Sequence, residues 1–359
     1  MLNGTPLQPV SPKRPFQRNL WLDFYRIVFA VVIALYHETV FCNPIFPRGR
    51  LAVYFFFLLS GFLAAKSIKR HHVNNSKTKG CGGFIRNKLL AVQPELLVTT
   101  LFLTALKMWD SHIPCKLFPF FSLHGILSDV FLLRMTGIEN AYGNAVAWYI
   151  SSMILALVVL YPIIKRVSHV YLLFLGVALL GWIKISTGTL LPYYETPMSI
   201  SFAGNFWAVG AMAIGASLSP FSEKLAGKFN RVSYHAACIV LLAFILYCIH
   251  RGFTGRECTP SIYDTLAIVA MCLMIGIAAI PKVQYETPSI IHRVIEFMGK
   301  LSLPFYLVHR CSIIILNHAS APLHKWEYLI TYIALTAFLS VLVMIAASWI
   351  RGKVAKFLL

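Results

Sequence analysis

The chain has 359 residues, of which 58% are hydrophobic and only 13% are charged, and its mean hydropathy is +0.70. Because an ordinary soluble domain carries about a quarter charged residues, this composition excludes a soluble globular protein, a disordered chain and a disulfide-rich secreted chain. The net charge of +19 would suit nucleic acid if the basic residues formed one stripe, but they occur in short clusters between long apolar stretches. The sequence therefore predicts an integral membrane protein whose basic clusters contact membrane lipid, with no nucleic-acid partner.

Ten stretches are apolar and long enough, or nearly so, to cross a membrane as helices, which takes roughly 20 residues. In chain order they are Leu20–Phe41, Leu51–Lys66, Leu89–Met108, Val146–Ile164, Val170–Ile185, Ile200–Leu218, Tyr234–Ile249, Ile262–Ile280, Phe297–Leu316 and Tyr328–Ile350. We predict an all-α polytopic membrane protein, with tails at residues 1–19 and 351–359 and a transmembrane domain at residues 20–350. The first stretch is expected to remain as a helix, because it lacks the small-residue cleavage site of a signal peptide.

The distribution of basic residues predicts the orientation of the chain. If successive stretches cross the membrane in alternate directions, the side that holds both termini carries about twice as many Lys and Arg as the other side. Basic residues are enriched in cytoplasmic segments of membrane proteins. Both termini are therefore predicted to be cytoplasmic.

The eight cysteines are dispersed and show neither Cys-x-x-Cys spacing nor a neighbouring His. Most of them lie inside apolar stretches, where a thiol behaves as a small hydrophobic group. We therefore expect no metal site.

The first apolar stretch holds three ionisable side chains, Asp23, Arg26 and His37. Such groups inside a membrane span are costly and are candidates for function. Arg26 and His37 lie within roughly 20° of the same helix face and about 16 Å apart along the axis, so they can bind two ends of one long ligand. Asp23 and Arg26, at i and i+3, can form an ion pair. Alternatively, Asp23 and Arg26 lie at one membrane interface while His37 and Glu38 lie at the other.

Several motifs resemble those of one known family. His37 follows Arg26 with ten residues between them, which is similar to the pattern in the first helix of the acyltransferase 3 family. Residues 55–63, Phe-Phe-Phe-Leu-Leu-Ser-Gly-Phe-Leu, resemble the second-helix motif of that family. Weaker similarities follow, in the same order as in the family, at residues 84–94, 148–162 and 301–309. The chain thus resembles this family over most of its length.

The resemblance implies transfer of an acyl group, usually acetyl, from cytoplasmic acetyl-CoA to a sugar hydroxyl of a lipid-linked or cell-surface polysaccharide. It implies acyl-CoA and a glycan acceptor as partners, and the bacterial cytoplasmic (inner) membrane as the location. His37 and Arg26 are then the catalytic candidates, with His37 acting as a general base or as a transient acyl carrier. Arg26, Arg86 and Lys88 are candidates for binding the phosphates of the donor.

The chain departs from the family pattern at two positions. The family often has Arg-x-x-Arg where the third helix begins, and the position of the second Arg is Ala91 here. This leaves Arg86 and Lys88 as the candidates for donor contact, although both also fit a role in setting membrane orientation. In one subgroup the fourth helix carries an acid where this chain has Met153, so the chain is closer to the subgroup with Trp-Tyr-Leu-Ser.

Three further positions, Ser60, Asp23 and His309, are predicted to support the site, and the role of Glu95 is left unassigned. Ser60 either lines an acyl tunnel or, with Gly61, serves tight helix packing. Asp23 belongs with Arg26 on either interpretation of the first helix. His309 fits a core or interface role as well as a catalytic one. Glu95 lies in an apolar stretch and requires a partner that the sequence does not identify.

Trp148 and Tyr149 are typical of the aromatic anchors found at membrane interfaces. The alternative is a sugar-stacking role at the outer mouth of the protein, shared with Tyr193 and Tyr194. The sequence leaves both interpretations open.

Two other functions compete with acyl transfer. A secondary transporter or flippase for a glycan-related solute also uses ionisable groups within the membrane, but such proteins often contain repeated halves, and no repeat is visible here. The third possibility is a catalytically silent partner of glycan synthesis, which the presence of both Arg26 and His37 disfavours.

Overall fold

The computed structural model describes residues 19–38, 45–73, 80–110, 118–136, 143–190, 200–251, 261–280, 289–319 and 324–358. These residues form mainly helices and include no strand. The helices are α1 (Leu20–His37), α2 (Ala52–Val73), α3 (Cys81–Asp110), α4 (Phe118–Val130), α5 (Trp148–Arg166), α6 (His169–Thr187), α7 (Ile200–Ser217), α8 (Ser219–Lys224), α9 (Arg231–Arg251), α10 (Ile262–Ala278), α11 (Ser289–Ala319) and α12 (Lys325–Leu358).

The predicted all-α membrane fold is confirmed. Within the described residues, α1, α2, α3, α5, α6, α9, α11 and α12 contain stretches long and apolar enough to cross a membrane. The other two predicted spans correspond to α7 and α10, which are 18 and 17 residues long. The chain is therefore a multi-pass membrane protein.

Several helices begin or end at residues other than those expected. α3 begins at Cys81 rather than Leu89, α11 begins at Ser289 rather than Phe297, and α12 continues to Leu358 through most of the predicted tail. Hydropathy detects only the part of a helix that lipid surrounds, whereas backbone hydrogen bonds can continue the helix into polar sequence. Conversely, α1 ends at His37, because the backbone of Glu38 is extended. The short α4 was not predicted.

The helices alternate in direction across the bundle. We call the side at which α1, α3 and α11 begin and α12 ends the terminal side, and the opposite side the distal side. An ion pair joins Glu95 of α3 to Arg351 of α12 towards the terminal side. On the distal side, Arg48 precedes α2 and bonds both carboxylate oxygens of Asp264 in α10, at 2.7 and 2.8 Å.

Close backbone packing fixes the position of α2 against α7. A Cβ at Gly61 would clash with the carbonyl of Met212, and one at Gly215 would clash with the carbonyl of Leu58. Glycine at both positions lets the two helices approach until their backbones touch. This contact fixes the helix that carries Ser60.

A buried polar network on the distal side fixes the start of α5. Asp129 accepts hydrogen bonds from Arg134, Thr100 and the backbone N–H of Asn144. The side-chain amide of Asn144 donates to the carbonyl of Leu307 in α11 at 3.2 Å. The segment before α5 is thereby held against α11, so that α5 begins inside the bundle.

Candidate active site

A cavity of about 770 Å³ lies between α1, α2, α3, α5, α11 and α12. Its volume falls within the range of small-molecule and cofactor sites, about 300–1,000 Å³. One part is lined by the cationic side chains of Arg26, Lys300 and Arg351, all of which belong to the terminal side. We call this part the mouth and the part lined by the side chains of α2, α5 and α11 the deep end.

Each cation at the mouth is paired with a carboxylate. Arg26 donates to Asp23 at 3.0 Å, which confirms the predicted i, i+3 pair. Lys300 lies 2.8 Å from Glu296 on its own helix. The pairing holds the side chains in position.

Gly299 makes room for the pair between Asp23 and Arg26. A Cβ at Gly299 would lie 2.5 Å from the Cβ of Asp23. The absence of a side chain at this position lets α11 approach α1, and Asp23 is buried against it. The position of Arg26 therefore depends on a glycine of another helix.

The third cation of the mouth has a partner from a distant part of the chain. Arg351 Nη1 donates to both carboxylate oxygens of Glu95, at 2.6 and 2.7 Å. The Glu95 side chain is only 8% exposed, so it requires a cation. Arg351 is thus the partner of Glu95 that the sequence did not identify.

The deep end combines hydroxyl groups with aromatic rings. The hydroxyl groups of Ser60 and Tyr149 lie 3.3 Å apart, and the ring of Tyr149 packs edge-on against Tyr306 at 5.8 Å. Tyr306 in turn donates its hydroxyl to the carbonyl of Val146 at 2.8 Å. Phe56 completes an aromatic wall that suits a thin, mostly apolar chain with a few polar atoms.

His37 lies next to the deep end but is not among the described residues that line the cavity. Its ring stacks on that of His309 at 5.2 Å, and the ring of His309 lies 6.0 Å from that of Tyr306. His309 is fully buried, and its Nδ1 donates to the carbonyl of Tyr306 at 2.6 Å. Ring contacts through His309 therefore connect Tyr306, which lines the cavity, to His37.

The structure separates the roles of the adjacent residues Ser60 and Gly61. Ser60 lines the cavity, whereas Gly61 is the contact point with α7. Trp148 and Tyr149 are likewise both buried, which differs from an anchor at the membrane interface. Tyr149 lines the cavity, and Trp148 packs on Phe57 instead. Residues 193 and 194 lie outside the described residues.

Arg86 and Lys88 lie on α3 and are not among the cavity-lining residues that the structure describes. Arg86 is exposed. The Nζ of Lys88 lies 5.6 Å from the centroid of the Phe84 ring. Of the three predicted donor-binding residues, only Arg26 lines the cavity.

The cavity residues that sequence reasoning missed include Lys300, Tyr306 as a wall of the deep end, and Arg351. The one available signal was Glu95, because a carboxylate within an apolar stretch requires a cation. Among the described residues, no group of three or more His, Cys, Asp or Glu side chains could hold a metal ion.

The fold and the cavity define a class of protein: a multi-pass membrane protein with a cavity enclosed between its helices. The family model described as an acyltransferase domain, that of the acyltransferase 3 family, matches residues 19–351. The chain therefore belongs to the acyltransferase 3 family and is a membrane acyltransferase. No curated protein and no solved structure matches it.

Proposed function

We propose that this acyltransferase moves an acetyl group from acetyl-CoA, bound in the cavity, to a sugar hydroxyl of a lipid-linked or surface polysaccharide. The observation that carries the proposal is the cavity itself, which runs from a cationic mouth to an aromatic deep end beside His309 and His37. Family membership supports the acyl-transfer chemistry. The host membrane is the bacterial cytoplasmic membrane, with the terminal side in the cytoplasm.

The charges of the mouth support a polyanionic donor. Arg26, Lys300 and Arg351 line the cavity together with one acid, Glu95. Cationic side chains that line a cleft attract anions and raise their local concentration. Coenzyme A carries phosphates at one end and the acyl thioester at the other, so the phosphates remain at the mouth while the thioester extends inward.

The spacing of residues along α11 and α1 supports this direction of binding. Lys300 and Tyr306 are six residues apart on α11, which corresponds to about 9 Å, and His309 lies about 4.5 Å further along the axis. Arg26 and His37 are about 16 Å apart on α1. The pantetheine arm of the donor is thin and extended, so it can follow this face from the mouth towards His37.

His37 has two chemically complete roles in the transfer. As a general base it accepts the proton of the sugar hydroxyl while the hydroxyl oxygen attacks the thioester carbon, and the departing thiolate then takes up that proton. As an acyl carrier its unprotonated ring nitrogen attacks the thioester carbon first, the C–S bond breaks, and the departing thiolate takes the proton of the other ring nitrogen. The sugar oxygen then attacks the acyl-imidazole, the C–N bond breaks, and the ring leaves and takes up the proton of the sugar hydroxyl. Either route requires Tyr306 and His309 to let the thioester reach the His37 ring.

Inverted membrane vesicles that contain the protein test this function. When radiolabelled acetyl-CoA is added outside the vesicles, we expect the label to be transferred to a glycan acceptor. When the acceptor is left out, label that remains attached to His37 would indicate the carrier route. In matched vesicles that contain the His37→Ala variant, we expect no label in the acceptor and no label on the protein. The control is His292→Ala, on α11 outside the described cavity lining, which should behave as wild type. Movement of an unmodified solute without acetyl transfer would instead indicate a transporter or flippase.

A further inference from the structure

We propose that Arg351 binds a phosphate group of the acyl donor and that Glu95 is the positioning residue that presents its guanidinium to the cavity. The inference rests on the proposed function, because the ligand is the phosphate-bearing end of the acyl thioester. It assigns donor recognition to the end of α12 rather than to Arg86 and Lys88 on α3.

The way Arg351 pairs with Glu95 leaves part of the guanidinium available. Both oxygens of Glu95 accept hydrogen bonds from one nitrogen, Nη1, which also lies 3.5 Å from the carbonyl of Ala91. Among the described residues, Nε and Nη2 of Arg351 have no hydrogen-bond acceptor. These two nitrogens form the edge of the guanidinium that binds an oxyanion with two parallel hydrogen bonds.

The surroundings of Arg351 favour an anion over a purely structural role. Arg351 is 37% exposed and lines the same cavity as Lys300 and Arg26. The carboxylates that pair with those two cations, Glu296 and Asp23, are not among the described residues that line the cavity. Three cations therefore line one space, while the partner carboxylates of two of them lie outside its lining, so an anion in this space contacts the cations rather than the acids.

Ala91 explains why this guanidinium can occupy its position. The small side chain of Ala91 lines the cavity beside Arg351. A long side chain at position 91 would compete for the space in which the guanidinium of Arg351 lies. The cation of this region is thus supplied by α12 in this chain.

The distance between the cations of the mouth and His309 restricts the class of ligand. A phosphate at Arg351 and Lys300 lies about 13–14 Å along α11 from His309, since nine residues separate Lys300 from His309. The ligand must therefore carry phosphate at one end and its reacting acyl group at the other end of a long arm. A phosphate-bearing acyl thioester has this form, whereas a free sugar or a short acyl phosphate does not.

The test compares two donors in vesicles that contain the full chain. Acetyl-CoA carries the phosphates, and acetyl-pantetheine carries the same thioester without them. For Arg351→Gln we expect KM for acetyl-CoA to rise about ten- to hundredfold, since a charge-assisted bond to phosphate is lost. The kcat should change little, and the rate with acetyl-pantetheine should be that of wild type.

Two further variants separate phosphate binding from folding. Lys353→Gln removes an exposed cation two residues away on the same helix. It should leave the kinetics with both donors unchanged. The double variant Glu95→Gln/Arg351→Gln removes the buried carboxylate together with its partner, so that no unpaired charge remains. We expect it to keep the high KM for acetyl-CoA.

Three outcomes would overturn the inference. A normal KM for acetyl-CoA in the double variant would mean that Arg351 only neutralises Glu95. Equal losses with both donors in Arg351→Gln would mean a general structural defect. If calorimetry shows that CoA binds to wild type and to Arg351→Gln with equal affinity, the phosphate site lies elsewhere. If the wild-type protein binds no CoA at all, the proposed function itself is contradicted.

Discussion

The imidazole rings of His37 and His309 stack 5.2 Å apart with 26° between their planes. Nδ1 of His309 donates to the carbonyl of Tyr306, so in the neutral ring Nε2 carries the lone pair. Among the described residues, that Nε2 has no hydrogen-bond partner. The hydrogen bond and the burial of His309 fix the orientation of its ring. Because the two rings stack, the His309 ring in turn holds the His37 ring in place.

Replacing His309 by alanine should therefore impair the chemical step more than donor binding. We expect kcat to fall about 10²-fold, because the His37 ring loses the group that orients it. The KM for acetyl-CoA should stay within about threefold of wild type, since the cationic mouth is unchanged. Steady-state kinetics in vesicles check both values.

The control for this variant is His318→Ala, which removes an exposed imidazole from the same helix. It should leave kcat unchanged. A His309→Ala protein with normal kcat would show that His309 is a packing residue only.

Gly299→Ala should disturb Arg26 from a distance. The added Cβ would lie 2.5 Å from the Cβ of Asp23, so Asp23 must shift and its bond to Arg26 must weaken. We expect a rise in KM for acetyl-CoA and a loss of about 1–3 kcal/mol of stability from overpacking. Donor kinetics and thermal unfolding in detergent measure the two effects.

Gly352→Ala is the matched control, because a Cβ at Gly352 meets no atom within 4 Å. It should be indistinguishable from wild type. Unaltered kinetics and stability for Gly299→Ala would contradict the role given to the contact between α1 and α11.

Ser60 should tolerate a small side chain but not a large one. Ser60→Ala removes one hydrogen bond to Tyr149, which contributes about 0.5–1.5 kcal/mol. Ser60→Leu instead places a branched side chain in the deep end, where it should obstruct the thioester. We expect near-normal transfer for Ser60→Ala and at least a tenfold loss for Ser60→Leu with both acetyl-CoA and acetyl-pantetheine.

Both variants should accumulate in the membrane as the wild type does, which immunoblotting of the membrane fraction verifies. Equal activity of the two would mean that the acyl arm does not pass Ser60.

Gly61→Ala should act through folding rather than catalysis. Its Cβ would clash with the backbone of Met212, which has no flexible atoms to move aside. We expect reduced abundance and a lower unfolding temperature. Gly181→Ala on α6, whose Cβ meets no atom within 4 Å, should be neutral, and a stable Gly61→Ala protein would refute the close contact of α2 and α7.

Much of the architecture follows from local sequence. Hydropathy identifies each spanning helix because lipid imposes a minimum length and an apolar surface. The pair between Asp23 and Arg26 was predictable because three residues along a helix bring two side chains to one face. The ends of α3, α11 and α12 were not predictable, since hydropathy does not detect helix that continues beyond the lipid.

The assembly of the cavity could not be predicted from the sequence. Glu95 and Arg351 are 256 residues apart, and only the packing of α3 against α12 brings them together. His37 and His309 were each singled out, but nothing in either segment indicates that their rings stack. The orientation of the termini stays a prediction from the distribution of Lys and Arg.

The central claim is that His37 carries out the transfer of the acyl group to surface glycan. Mass spectrometry of surface polysaccharide, from cells that express either the wild type or His37→Ala at equal abundance, tests it most directly. Loss of general base catalysis costs about 10²–10⁴-fold in rate, so we predict O-acetylated sugar with the wild type and none above background with His37→Ala. Acetylation at the wild-type level in the variant would contradict the account.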